Sequence, residues 1–294
     1  MREQIGESEL ILNADGSIYH LHLLPEDIAD TIILVGDPDR VKRVSCHFDS
    51  IEVKKQKREF ITHTGYLNNK RLTVISTGIG TDNIDIVLNE VDALVNIDLD
   101  QRTVLENKRS LQFIRLGTCG SFHPEVNADS IVLSSKGLGL DGLFGFYEQK
   151  EDAELTFLNN HIYNHFRHYN IETLPYSGNG SEMLLSRFEN LSQHIGYTLT
   201  LGGFYGPQGR ELRLKQRSRS FEKMITEFEY DRMRIANLEM ETAAIYAISN
   251  QLGHEALSVS VVVANRTNKT ISSNPGKAVD NMIASFVEQI SLMA

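Results

Sequence analysis

The chain has 294 residues, 41% of them hydrophobic, and a formal charge of -10. That length and apolar content support a substantial core and exclude a disordered chain, while the acidity argues against a general affinity for nucleic acid or an anionic membrane. Cys46 and Cys119, the two cysteines, have no metal-type spacing, which speaks against a disulfide framework or a zinc site and fits a reducing, cytoplasmic setting.

The first nine residues carry no apolar signal core, and no apolar run reaches the ~18 residues that a bilayer span needs. Thr31 to Val35 is a β-branched strand pattern that opens onto Gly36-Asp37-Pro38-Asp39-Arg40, where Asp37 before Pro38 marks a helix start. The strand pattern Arg71 to Ser76 opens onto Thr77-Gly78-Ile79-Gly80-Thr81-Asp82-Asn83 and an amphipathic helix from Ile84 to Val95. Gln112 to Leu116 reads as a third strand, followed by a glycine turn, Gly117-Thr118-Cys119-Gly120-Ser121. A helix is expected over 151–168. The apolar segment from Tyr197 to Gly203 then leads into Phe204-Tyr205-Gly206-Pro207-Gln208-Gly209-Arg210. Helices are expected over 218–230, over 239–252 with Gly253 as the stop, and over 277–292, with a strand at Ser258 to Ala264 running into Asn265-Arg266-Thr267. Strands alternating with helices predict an α/β fold with a mixed or largely parallel sheet, and the absence of linkers or repeats predicts a single domain over 1–294.

In such folds ligands bind beyond the carboxyl ends of strands, where these polar turns fall. Arg40, Arg58, Arg115 and Arg266 all stand at or beside strand ends. Guanidinium grips phosphate bidentately and glycine turns at helix starts offer N–H donors, so Gly36 with Arg40, and Arg115 with Gly117 and Thr118, read as two halves of one anion pocket. The Gly78/Gly80 turn lacks the third glycine of a dinucleotide fingerprint and the Gly-Lys-Ser/Thr of a nucleotide-triphosphate loop. Phe204, Gln208 and Arg210 combine a ring, an amide and a guanidinium that can stack on a flat heterocycle and bond its carbonyl edge. Asn237-Leu238-Glu239-Met240-Glu241 reads as the start of a helix, in which Glu239 and Glu241 point to nearly opposite sides, so that one of them at most faces a ligand.

These motifs resemble, in order and over most of the chain, the nucleoside phosphorylase superfamily, and within it the uridine phosphorylase branch. The resemblance rests on Tyr19-His20-Leu21, Gly36 to Arg40, Arg58-Glu59-Phe60, Ser76 to Gly80, Arg115 to Thr118, Gln208-Gly209-Arg210, Glu239-Met240-Glu241 and Asn265-Arg266-Thr267. It implies a three-layer sandwich, a mixed central sheet flanked by helices, preceded by an N-terminal extension over 1–18. It also implies reversible phosphorolysis of uridine or deoxyuridine to uracil and a pentose 1-phosphate. Inorganic phosphate is then the co-substrate, with no cofactor or metal. Gly36, Arg40, Arg115, Gly117 and Thr118 would hold phosphate, with Arg58 reaching a neighbouring subunit's phosphate site and His20 crossing the interface to the ribose 5′-hydroxyl. Met240 would pack on the sugar and Glu241 would accept from its hydroxyls. Gln208 and Arg210 would read the uracil edge, with Phe204, Cys119, Gly120 and Glu239 around the nucleoside. Sites shared in this way imply a homo-oligomer, at least a dimer, with hexamers among the family's assemblies. Related purine enzymes use an aspartate near Arg266, so Asn265-Arg266 favours a pyrimidine.

Two departures from the family pattern stand out: the segment from about Asp92 to Leu111 is long, and Leu238 stands where an aromatic residue packs near the base. Three other readings compete. Cys119 in its glycine turn could be a nucleophile with a histidine base. The basic runs Lys54 to Arg58 and Arg210 to Arg219 could bind an anionic partner or nucleic acid, against the net charge. The third is another enzyme of the same fold, either a purine nucleoside phosphorylase or a nucleosidase, which would use water, against the retained arginines. His20 and His22 alone do not make a metal site.

Overall fold

The computed structural model describes residues 4–293, so the first three residues of the N-terminal segment lie outside the described residues. The chain runs β1 (Thr31–Val35), α1 (Pro38–Ser45), β2 (Ser50–Lys57), β3 (Phe60–Leu67), β4 (Lys70–Ser76), α2 (Thr81–Asn96) and a small hairpin of β5 (Ile97–Asp98) and β6 (Thr103–Val104). It continues with β7 (Gln112–Ser121), β8 (Ile131–Gly139), α3 (Ala153–His168), β9 (Tyr176–Asn179), α4 (Glu182–Phe188) and β10 (His194–Thr200). It ends with α5 (Phe221–Thr226), β11 (Glu229–Tyr230), β12 (Met233–Glu239), α6 (Thr242–Leu252), β13 (Glu255–Asn265), β14 (Thr270–Ile271) and α7 (Pro275–Ser291).

The large sheet runs β11-β12-β10-β8-β13-β7-β1-β4-β3-β2. β1 lies parallel to β4 and β7, and β7 parallel to β13, whereas β2, β3 and β4 pair antiparallel and β8 pairs antiparallel with β13. The sheet is therefore mixed, as expected. β1 is buried throughout, and apolar from Ile32 to Val35, because both of its faces are covered. Ile32 and Leu34 pack with α2 and α6, and Ile33 and Val35 pack on the opposite side with α1 and α7, which makes three layers. A single pairing of Leu238 with Gly120 brings β12 back to β7, so β7, β13, β8, β10 and β12 form a closed ring. No helix among the described residues is long and apolar enough to cross a membrane.

Several expected boundaries change. Gly117 to Ser121 is not a turn: β7 continues through it, held along its length by β13. The expected helix over 218–230 is confined to α5, after which Glu229–Tyr230 pairs with β12. Glu239 ends β12 instead of opening a helix, and α6 begins at Thr242 with Glu241 at its N-cap. The Asp92–Leu111 segment supplies the last turn of α2 and the small hairpin. There it meets the N-terminal segment through Ile5 N–H to the Arg102 carbonyl at 2.8 Å, and none of it lines the main cleft.

Candidate active site

A cleft of about 1140 Å³ opens at the carboxyl ends of β1, β4, β10, β12 and β13 and along the second half of β7. It gathers Gly36 and Arg40 after β1, Arg115, Thr118, Cys119 and Gly120 from β7, and Glu239, Met240 and Glu241 from the β12–α6 junction. Phe204, Gln208 and Arg210 enter from the loop after β10, and Arg266 from the end of β13. His20, Arg58 and Gly117 are not among its lining residues.

The deepest part is ionic. Arg115 and Gly117 lie two apart on one strand and so share a face. The Arg115 side chain folds back over Gly117, where an added Cβ would fall 1.8 Å from its Nη1. Nη1 donates to Ser260 Oγ at 3.2 Å, and Nη2 sits 2.6 Å from Glu241 Oε2 and 3.2 Å from Glu239 Oε2. The two carboxylates therefore converge on one guanidinium, contrary to the opposed arrangement a regular helix would impose. The reason is local: Glu239 is a strand end and Glu241 a cap, so the helical spacing does not apply. Burial works against the charge on Arg115, but Glu239 and Glu241 outweigh it and its pKa is raised. Burial pushes Glu241 upward against the pull of Arg115. The other oxygen of Glu241 accepts the Gly80 N–H at 2.7 Å, from a glycine at φ 98° that other residues rarely adopt.

Arg40 follows the Asp37 cap of α1, whose carboxylate accepts from Asp39 N–H. Its Nη1 donates to the Leu116 carbonyl at 3.1 Å, while its buried Nε has no partner. Burial and the nearby charge of Arg115 push its pKa down to about 10. A buried guanidinium with an idle donor is costly unless an anion completes it. Thr118 and Gly36 line the cleft as well.

A second group of lining residues is cationic and aromatic. The Arg210 guanidinium stacks 3.8 Å over Phe204 and donates to Gln208 Oε1 at 2.5 Å, which orients the buried amide. Arg266 donates to the Gln208 and Gly209 carbonyls and lies 4.6 Å from the Phe122 ring. Burial lowers the pKa of Arg210 and of Arg266, and the charge of Arg266 lowers that of Arg210 further. Asn265 is committed elsewhere: its amide donates to the His123 and Val126 carbonyls at 2.7 and 2.8 Å.

Cys119 is buried with its Sγ 3.7 Å from the Val261 carbonyl, and burial pushes its thiol up to about 12. It is a wall residue here and not an activated nucleophile. His20 and His22 serve different carboxylates. His20 Nδ1 lies 2.6 Å from Glu90 Oε1, and His22 Nε2 lies 2.9 Å from Asp15 Oδ2. Arg58 stands exposed in the β2–β3 hairpin at φ 55°. In the preceding basic run Lys55 is paired with Asp27 at 2.6 Å. Sequence reading missed Glu90, Thr200 and Ser260 as supports of site residues; they lie 70, 39 and 145 positions from His20, Glu239 and Arg115, and no local pattern joins them.

The sequence profile of the phosphorylase superfamily matches residues 30–291. The uridine phosphorylase of Thermococcus kodakarensis is 28% identical over 285 residues, 95% of this chain and 87% of that protein. A DeoD-type purine nucleoside phosphorylase of Buchnera aphidicola is 23% identical over 279 residues, 92% of this chain and 98% of that protein. Among solved structures, a Trypanosoma brucei nucleoside phosphorylase described as showing uridine phosphorylase activity matches with a TM-score of 0.85 and 27% identity. That match covers 97% of this chain and 100% of the other. With a family profile across nearly its whole length and the fold of a nucleoside phosphorylase around its charged cleft, this chain is an enzyme of the phosphorylase superfamily.

Proposed function

We propose that the protein is a uridine phosphorylase, which cleaves uridine or deoxyuridine reversibly with inorganic phosphate and needs no further cofactor. The observation that carries the pyrimidine reading is the makeup of the base end. Gln208, Arg210 and Arg266 form one linked set of amide and guanidinium groups there, and Asn265 stands beside Arg266 with its amide already used. A departing uracil is an anion stabilised by such donors, whereas a departing purine is helped by an acid that protonates its ring.

The remaining groups fit in-line displacement without a covalent intermediate. Phosphate is gripped by the Arg40 guanidinium and oriented by Arg115, Thr118 and the turn at Gly36, all of which line the cleft. Met240 covers the sugar face and Glu241 accepts from its hydroxyls. As the glycosidic bond lengthens, phosphate and Glu241 face the cationic sugar while Arg210 and Gln208 face the anionic base. His20 and Arg58, which do not line their own chain's cleft, act in this reading on the cleft of a second copy, so the working unit is at least a dimer. Two unpaired cysteines agree with a reducing cytoplasm.

The test is to incubate the protein with uridine, deoxyuridine, thymidine, inosine and adenosine, with and without phosphate, and to identify the released base and sugar. Phosphate-dependent release of uracil with ribose 1-phosphate is expected. Preferred cleavage of inosine or adenosine would make it a purine enzyme, and equal rates without phosphate would make it a nucleosidase.

A further inference from the structure

Glu239 is held more firmly than a helix cap requires. Its Oε1 accepts from Thr200 Oγ1 at 2.7 Å, and its carboxylate accepts the backbone N–H of Glu241 at 3.0 Å and of Thr242 at 2.9 Å. Thr200 is itself fixed, because its Oγ1 accepts from Ala243 N–H at 2.9 Å. With this set saturated, Glu239 still places Oε2 3.2 Å from Arg115 Nη2, beside the 2.6 Å contact from Glu241. Arg115 and Glu239 are both buried, at 5% and 4% exposure, so solvent and salt screen this counter-charge much less than they would at the surface.

Glu241 has two demands on it. It partners Arg115, and it is the carboxylate that the sugar hydroxyls recruit. If it were the sole anion on Arg115, each sugar-binding event would loosen the guanidinium just when phosphate needs it in place. We infer that Glu239 is a positioning residue, a fixed counter-charge that keeps Arg115 aimed at phosphate while Glu241 turns to the sugar, with Thr200 as its anchor. The inference rests on the phosphate role proposed for Arg115, and it makes Glu239 the element that couples the two subsites.

Glu239→Gln, in the full chain, keeps an acceptor toward Arg115 and removes the charge. Rates measured against phosphate and nucleoside separately should show kcat/KM for phosphate falling about ten- to a hundredfold, the size of one lost charged hydrogen bond. The nucleoside KM should change much less, while the melting temperature should fall, because Arg115 loses one of its two buried counter-charges. Thr200→Val should move phosphate kcat/KM in the same direction and Thr200→Ser should restore it. These variants also decide the matter if Glu239→Gln does not fold. Unchanged phosphate kinetics in Glu239→Gln, or in Thr200→Val when it is the only one folded, would reduce Glu239 to a helix cap and overturn the inference alone. A wild type indifferent to phosphate would instead overturn the phosphate reading and, with it, the inference.

Discussion

The Arg115 guanidinium occupies the space that a side chain at Gly117 would take, with Nη1 only 1.8 Å from where a Cβ would stand. Glycine at 117 is thus a condition for the position of Arg115 and not a hinge or a phosphate-binding turn. Gly117→Ala should push Arg115 out of register with phosphate, lower phosphate-dependent turnover at least a hundredfold, and cost about 1–3 kcal/mol in stability through overpacking. Steady-state rates and thermal melts check this; near-normal turnover would show that Arg115 has another place to go.

Arg115→Ala should abolish phosphorolysis and also destabilise the fold by about 3–5 kcal/mol, because Glu239 and Glu241 lose their shared cation inside the protein. The pH dependence has a definite sign. Burial already raises Glu241 and Arg115 opposes that rise, so removing Arg115 raises the folded carboxyl pKa further above its unfolded value. Stability contributed by the protonated group is present below the unfolded pKa and is lost as pH rises through the folded one. The variant should therefore lose more melting temperature between pH 5 and pH 7 than the wild type does. Parallel pH profiles would contradict the arrangement.

Arg40→Met should separate stability from function. It removes a buried cation with an idle Nε while keeping apolar bulk, so the ligand-free variant should melt no lower than the wild type and should no longer be stabilised by phosphate. Scanning calorimetry with and without phosphate reads both effects. Undiminished stabilisation by phosphate would place the anion elsewhere.

Gln208→Ala should damage base recognition, raising the nucleoside KM or lowering kcat by roughly tenfold or more while phosphate saturation is spared, as expected for one buried amide pair. Uridine turnover that survives the change would disconnect Gln208 from the base.

Cys119→Ser should retain most activity. At pH 7–8 iodoacetamide should modify exposed Cys46 and leave Cys119 untouched, because the buried thiol ionises only near pH 12. Mass-spectrometric mapping of the adducts decides it, and an activity loss tracking Cys119 modification would revive the nucleophile.

The strand, turn and helix cores were legible because the relevant signals are local. Ile32 to Val35 is apolar on both faces, Asp37-Pro38 caps a helix, and Gly253 stops one. Most residues that line the cleft were legible as types at strand ends, whereas His20, Arg58 and Gly117 do not line it. Two local rules failed where tertiary pairing overrode them. Gly117 to Ser121 has the composition of a turn, yet β13 pairs beside it and draws it into β7. Glu239 has the composition of a helix start, yet β10 pairs with it through Thr200. Both failures lie where the chemistry is concentrated, and the contacts that caused them come from distant parts of the chain.

The pairing of β7 with β13 also has a consequence for the order in which the molecule is made. Arg115 meets Ser260, 145 positions further along the chain, and its carboxylates come from between them, so its surroundings assemble only after most of the polypeptide has left the ribosome. Parallel strands joined over such distances fold slowly. Arg40 waits in the same way for the Leu116 carbonyl, and β1 for β4 and β7 on either side of it, so a nascent chain that displays only Gly36 and Arg40 has not yet placed them.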